Sequence, residues 1–173
     1  KGDTLKLEVY LYIYNLKTQK SSPLYQRKSL LLLQTDKSMD LQVINQDLLN
    51  SIIDKAKSSY RLRMNYNLHS DLSDKCQRLL NAMEPGTIMP IHHHKVAEVY
   101  ILLQGRIRVM TYDEKGNEIC SVILDPKEGN YGIQIPENTW HSLEVCESGS
   151  VIFEVKEGPY IPHEIGGMLN IEK

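Results

Sequence analysis

The second part of the chain alternates short apolar runs with turn residues. From Cys76 onward there are seven such runs: "RLLNAM", "EVYILLQ", "RIRVMTYD", "EICSVIL", "YGIQI", "WHSLEV" and "SVIFEVK". The segments between them, among them "EPG", "DEKGNE" and "PEN", supply the glycine, proline and asparagine that tight turns require. Seven short strands at this spacing predict a mainly β domain, built as an antiparallel sandwich or barrel.

The segment before these strands has a helical period. Between residues 41 and 59 the apolar positions recur at steps of three and four, at Leu48, Leu49, Ile52, Ile53 and Ala56. Asn45 is available as the N-cap of this short amphipathic helix. The following stretch, "RLRMNYNLHSDLSDKC", is polar and rich in turn residues, so we expect an ordered loop. The predicted division is a helix and polar loop over 39–75 and a β domain with a C-terminal tail over 76–173.

Residues 1–38 follow neither pattern. They mix tyrosine-rich, lysine-rich and leucine-rich fragments, and Met39 is a candidate natural start. We expect an upstream or non-native extension, either poorly ordered or packed as an added strand through "KLEVYLYIYNL".

Composition and charge exclude several classes of partner. A net charge of -2 over 173 residues provides no basic face for nucleic acid, and the run "SLLLLQ" is too short to cross a membrane. Three cysteines without a CxxC spacing argue against a disulfide framework or a cysteine zinc site, and they favour a reducing cytoplasm. The expected partner is therefore a small, roughly neutral molecule.

Three histidines and a glutamate carry the candidate chemistry. His92 and His94 are two residues apart, so on an extended strand they share a face while His93 points the other way. Glu98 opens the run "EVYILLQ" at an inward position, and a buried carboxylate needs a partner such as a divalent cation. His141, after "PEN", supplies a fourth ligand from another strand. Three imidazoles and one carboxylate leave open positions on an octahedral metal.

These residues also match a known motif. Gly86, five residues, His92, one residue, His94, three residues, Glu98, six residues and Gly105 reproduce the first motif of the cupins without a gap. The second cupin motif is degenerate. Pro136 and His141 keep its spacing, but Asn138 stands in place of a turn glycine, Gly129 is one residue too far from Pro136, and Val145 replaces the final asparagine. Asparagine tolerates the left-handed conformation that glycine adopts at such turns.

The likeness extends from about residue 39 to about residue 162. Over "RLRMNYNLHSDLSDKCQRLLNAMEPGT", "EGNYGIQIPENTWHSL" and "GSVIFEVKEGPYIP" the chain resembles the WbuC family of cupin-fold metalloproteins. That resemblance implies a cupin jelly-roll β-barrel preceded by a short helical segment, with one divalent transition metal such as Fe, Mn, Zn or Ni. It also implies an association with surface-polysaccharide (O-antigen) gene clusters. His93 stands where an arginine is common in that family, which puts any role of that arginine in doubt here.

Further polar and aromatic side chains have two interpretations. They are ordinary loop caps, ion-pair partners and rim aromatics, or they line a pocket in which arginine binds a carboxylate, a phosphate or sugar hydroxyls. The tentative substrate-binding set is Arg61, Arg63, Tyr66, Asn67, Gln77, Arg78, Tyr131 and Trp140. His69 is interpreted as an ordinary polar residue, and Cys76 as a small buried hydrophobic residue.

Three functional hypotheses remain open. The first is a metal-dependent enzyme that acts on a small polar, sugar-related substrate, with no catalytic base assigned. The second is a non-catalytic metal-dependent module that binds a sugar or metabolite. The third is a metal-free, epimerase-like cupin with histidine as base, against which Glu98 inside a histidine cluster argues. The apolar runs "EVYILLQ" and "SVIFEVK" are expected to leave strand edges that a second subunit covers, which predicts a homodimer.

Overall fold

The computed structural model describes residues 41–161 and 167–169. The chain divides into two compact units, Lys1–Val43 and Ile44–Lys173, and the architecture below is that of the second. The predicted extension over residues 1–38 lies outside the described residues.

Within residues 41–161 one helix precedes the strands, as the periodicity predicts. Helix α1 spans Gln46–Ser58, and the side chain of its N-cap, Asn45, accepts a hydrogen bond from the Leu48 amide at 3.0 Å. Its inner face buries Leu49, Ile52, Ile53 and Ala56 against Leu80, Ala82 and Val151 of the sheet below. In the described part of the chain no helix is long and apolar enough to cross a membrane.

Eight strands follow the helix among the described residues. Their bounds are β1 Arg63–Asn67, β2 Cys76–Met83, β3 Glu98–Gln104, β4 Ile107–Tyr112, β5 Glu118–Leu124, β6 Gly132–Ile135, β7 Trp140–Val145 and β8 Ser150–Glu157. The seven predicted strands are confirmed as β2 to β8. A 3-10 turn, Pro126–Glu128, connects β5 to β6.

The strands form two antiparallel sheets. One has the order β1-β2-β8-β3-β6 and the other the order β5-β4-β7. A cluster drawn from both sheets, with Leu102, Val109, Leu143 and Ile152 among its buried members, fills the space between them. The fold is therefore mainly β, with one core between the sheets and a second beneath α1.

Strand β1 corrects the prediction of a loop after the helix. Met64 and Tyr66 pack toward the core beneath α1, while Asn65 and Asn67 are exposed and β1 pairs with β2 along its length. The period of two is present in the sequence, but asparagine is depleted in strands and conceals it. Because β1 pairs with β2 and contacts α1, this polar segment belongs to the same compact unit as the later strands.

Strand order overturns the basis of the dimer prediction. Strands β3 and β8 are each paired on both sides, so neither is a sheet edge. Of the strands that the structure describes, the edges are β1 and β6 in one sheet and β5 and β7 in the other. On the outer face of β3, Ile101 and Leu103 are each 38% exposed. Cys76 is also exposed and not buried, because it begins β2 on the face opposite the buried Gln77.

Candidate metal centre

Three of the four predicted ligands converge between the sheets. The ligating atoms of His92, Glu98 and His141 all lie within 4.8 Å of one another, and the three residues are only 7%, 1% and 1% exposed. The closest pair is Oε1 of Glu98 and Nε2 of His141, at 2.7 Å. The rings of His92 and His141 have their centroids 4.3 Å apart.

Backbone pairing brings the two histidines together. The amide of His92 donates to the carbonyl of His141 at 3.0 Å, and the amide of His141 donates to the carbonyl of His92 at 2.8 Å. On the other side of His92, residue 168 forms a second antiparallel bridge. Glu98 comes from the first position of β3, where the alternation of the strand directs it inward with Tyr100 and Leu102.

The hydrogen bonds of the two imidazoles fix their protons on the outer nitrogens. Nδ1 of His92 lies 2.9 Å from the carbonyl oxygen of Pro90, and Nδ1 of His141 lies 2.8 Å from that of Thr139. A carbonyl oxygen only accepts, so each Nδ1 carries a proton, and in its neutral form each ring presents the lone pair of Nε2 to the site. A ring nitrogen donating to a backbone carbonyl is the usual outer contact of a metal-ligating histidine.

Glu98 is the anion of this cluster. Burial alone would raise its pKa, but the contact with His141 and the charges of His141 and Lys156 outweigh burial and lower the pKa to about 2. Neither carboxylate oxygen has a hydrogen-bond donor in good geometry among the described residues. Two carboxylate oxygens and two Nε2 lone pairs therefore meet in a buried space, and such a donor set fits a divalent cation.

His92 stays neutral over the whole physiological range. Burial, together with the neighbouring charge of His141, lowers its pKa to about 3. A neutral imidazole is the form that binds a metal ion, so the lowered pKa of His92 suits a metal ligand.

His94 lies beside the cluster and contacts a lysine. Its Nε2 is 3.8 Å from Oε1 of Glu98 and 3.3 Å from Nζ of Lys156. Burial would lower the pKa of Lys156, but Glu154 and Glu98 outweigh burial and raise it, so the side chain is an ammonium ion that donates to the imidazole. The same lone pair of His94 would be needed to bind a metal.

Sequence analysis missed two charged residues of the site, Glu154 and Lys156, and it gave no function to Tyr100. Lys156 lies 2.7 Å from Oε1 of Glu154 and 3.8 Å from Oε2 of Glu98, and Glu154 is only 8% exposed. Tyr100 is buried with its hydroxyl 3.4 Å from Nε2 of His141, and burial, followed by the charges of Glu98 and Glu154, raises its pKa. The available signal was the alternation of "SVIFEVKE", which places both charged residues on the inner face with Ile152.

Two of the tentative substrate residues have defined positions near the core. Arg63 lies on the inner face of β1, half-buried, with one guanidinium nitrogen 2.9 Å from the sulfur of Met89. Burial, with the like charge of Arg61, lowers its pKa, and the charge of Glu154 opposes that change. The amide of Gln77 is buried and donates to two backbone carbonyls, those of Leu72 and Asp74, which indicates a structural role.

The structure does not bring the other tentative residues to the metal ligands. Tyr66 packs beneath α1, and Arg61, Asn67, Arg78 and Tyr131 are exposed. Trp140 packs edge-on against His93, with ring centroids 4.3 Å apart. His93 therefore contacts an aromatic ring, whereas its two neighbours lie at the cluster. Asn138, in place of the motif glycine, adopts the left-handed conformation with φ of 57°.

Comparison with known sequences gives one family match. A family described as Domain of unknown function (DUF6016) matches residues 44–124, just under half of the chain. That segment contains α1, β1 to β5, His92, His94 and Glu98, and it ends before His141. Among curated proteins no significant match is found.

Solved structures with a related arrangement include three from bacteria. A cupin superfamily protein from Desulfitobacterium hafniense is 13% identical with a TM-score of 0.44, over 55% of this chain and 76% of that one. KdgF from Halomonas sp. is 15% identical with a TM-score of 0.45, over 57% and 80%. Oxalate decarboxylase from Bacillus subtilis is 21% identical with a TM-score of 0.44, over 58% of this chain and 25% of that one. Because these TM-scores are below 0.5, the proposals below depend on the geometry of the site.

Proposed function

We propose that the chain is a metal-binding cupin of the jelly-roll type, with His92, His94, Glu98 and His141 as ligands of one divalent transition metal. The observation that supports this most strongly is the pair of Nδ1 atoms held by the carbonyls of Pro90 and Thr139, which directs two Nε2 lone pairs at a buried carboxylate. The unbroken spacing from Gly86 to Gly105 supports the same assignment. His94 joins the set when its Nε2 turns from Lys156 to the ion.

The proposed activity is that of a metal-dependent enzyme acting on a small polar, sugar-related substrate. A bound divalent ion supplies Lewis-acid polarisation of a carbonyl or hydroxyl oxygen, or oxygen chemistry if it is iron. The protein contributes a carboxylate and an ammonium 2.7 Å apart, Glu154 and Lys156, beside the ligands. Such a pair can move a proton to or from a substrate atom, with Glu154 as the group that holds it. Tyr100 keeps its proton because its pKa is raised, and it can donate a hydrogen bond.

Turnover separates this enzyme from a non-catalytic binding module. Protein loaded in turn with Fe(II), Mn(II) and Zn(II) is incubated with nucleotide-sugar and free-sugar panels, and products are followed by NMR together with oxygen consumption. We expect product from the wild type and at least a hundredfold lower turnover in Glu154→Gln, with metal content unchanged. Saturable binding without product would instead indicate the binding module.

The physiological setting is part of the same proposal. The likeness to the WbuC family suggests a role in a surface-polysaccharide pathway, and three cysteines without a disulfide pattern favour the cytoplasm. The metal-free, epimerase-like alternative is disfavoured by Glu98, whose buried carboxylate lies within 4.8 Å of ring nitrogens of both His92 and His141, a donor set that suits a metal ion.

A further inference from the structure

Charged side chains line the inner face beside the candidate metal centre. Strand β8 alternates so that Glu154 and Lys156 face inward with Ile152. Its register with β3 places Lys156 opposite Glu98 and Glu154 opposite Tyr100. The proximity of these groups is therefore fixed by strand pairing and does not depend on a flexible loop.

Lys156 is held at this position by anions. Its ammonium lies 2.7 Å from Glu154 and 3.8 Å from Glu98, and its side chain is only 14% exposed. A buried ammonium needs negative partners, because removal from water is unfavourable for an isolated charge. When Glu98 binds a metal ion, its negative charge is shared with that ion, and Lys156 loses part of its compensation.

Arg63 brings a second cation to the same inner face. The register of β1 with β2 sets Arg63 opposite Met83, whose side chain belongs to the core between the sheets. Among the described residues its side chain donates one hydrogen bond, to the sulfur of Met89, a weak acceptor that leaves most guanidinium donors available for another partner.

The charges on this face favour an anionic ligand once a metal ion is bound. On the inward-facing positions of the described strands, two carboxylates, Glu98 and Glu154, balance two cations, Arg63 and Lys156. When a divalent ion is bound, the site therefore carries a net positive charge. We infer that the substrate carries an oxyanion, a carboxylate or a phosphate, which Lys156 binds at the metal centre with Arg63 as the outer cation. This inference depends on the proposed metal function and narrows its substrate class.

A neutral sugar does not satisfy this arrangement. Hydroxyl groups hydrogen-bond to an ammonium or a guanidinium but do not cancel its charge, whereas an oxyanion does both. Lys156 is thus a specificity-determining residue. Glu154 competes with the substrate for it, so removal of the Glu154 charge strengthens binding of the oxyanion.

The test compares matched ligands on metal-saturated protein. Isothermal titration with glucose, glucuronate and glucose 6-phosphate measures the preference for an anion on one ring, and the two anionic arms distinguish carboxylate from phosphate. We expect one of the two anions to bind at least tenfold more tightly than glucose. Lys156→Met is expected to reduce that preference at least fivefold, while Lys156→Arg retains it. Lys127→Met is the charge-matched control, because Lys127 pairs with Glu147 at an exposed position.

Each outcome has a defined consequence. Absence of a preference for either anion, or a reduction in Lys156→Met that is less than fivefold or is equalled by Lys127→Met, overturns the inference. If Lys156→Met does not fold, Glu154→Gln decides. Tighter binding of the preferred anion in that variant supports the inference, and unchanged or weaker binding overturns it. Metal content measured on the same samples tests the proposed function separately, because loss of anion preference with metal retained refutes the substrate class alone.

Discussion

Substitution of His92 by glutamine should make the metal-free protein less sensitive to acid. In the folded chain burial and the charge of His141 lower the pKa of His92 to about 3, whereas an unfolded chain restores about 6.5. Between pH 6.5 and pH 3, His92 therefore binds a proton in the unfolded state but not in the folded state. The stability associated with neutral His92 is fully present above pH 6.5 and is lost as the pH falls toward 3.

The magnitude follows from the difference between the two pKa values. Each pH unit within this window corresponds to about 1.4 kcal/mol, so a fall from pH 7 to pH 5 removes about 2 kcal/mol through His92 alone. A full descent to pH 3 removes about 4 kcal/mol. Glutamine does not titrate, so the variant avoids this loss although it is less well packed at neutral pH.

Urea denaturation of the metal-free protein provides the assay. Trp140 is the single tryptophan, and its fluorescence reports unfolding in chelator-containing buffer at pH 7 and pH 5. We expect the free energy of unfolding to fall between these pH values by about 2 kcal/mol more in the wild type than in His92→Gln. Equal losses in the two proteins, within about 0.5 kcal/mol, would refute the assignment of His92 as a neutral buried ligand.

Three further predictions follow from the geometry. Lys156→Met should bind metal at least tenfold more tightly in a chelator competition, because the ammonium no longer occupies Nε2 of His94, and unchanged affinity would contradict that competition. Deletion of residues 167–173 removes two backbone hydrogen bonds to the ligand segment, so the free energy of unfolding of the metal-loaded protein should fall by about 2 kcal/mol, and an unchanged value would contradict it. Gly105→Ala should destabilise the chain by about 3 kcal/mol, since a Cβ there would lie 2.6 Å from a backbone Cα at φ of +87°. Gly129→Ala has a similar φ of +84° but open space around it, so chemical denaturation should show a loss of only about 1 kcal/mol, and equal losses would refute the packing argument.

Elements whose cause is local could be predicted from the sequence. The N-cap at Asn45 and the apolar steps of three and four define α1 within one or two residues. Turn residues separate β2 to β8 at nearly the observed positions. The left-handed conformation of Asn138 follows from the motif position that glycine usually occupies.

Features that depend on strand order and register could not be predicted from the sequence. Strand β1 was missed because two of its five residues are asparagines, which are depleted in strands, and its pairing with β2 is a long-range choice. The central positions of β3 and β8 arise from sheet order, which alternation along one strand does not encode. The contact between Lys156 and Glu98 is a cross-strand pair, so it becomes visible only once the register is known.

The candidate site could likewise be predicted only in part from the sequence. Spacing indicated His92, Glu98 and His141, whose side chains do converge. The carbonyl partners that fix the imidazole protons, and the lysine that contacts His94, come from the folded backbone and a neighbouring strand. These contacts support a bound cation on chemical grounds, in addition to the spacing of the motif.

Metal content of two adjacent variants tests the central claim most directly. Wild type, His92→Gln and His93→Gln are loaded with Zn(II) or Mn(II), desalted and measured by inductively coupled plasma mass spectrometry. His92 lies in the cluster, whereas His93 packs on Trp140, so the substitution is the same and only the position differs. We predict about one ion per chain in the wild type and in His93→Gln, and a large loss in His92→Gln. Equal metal content in all three proteins would contradict the account.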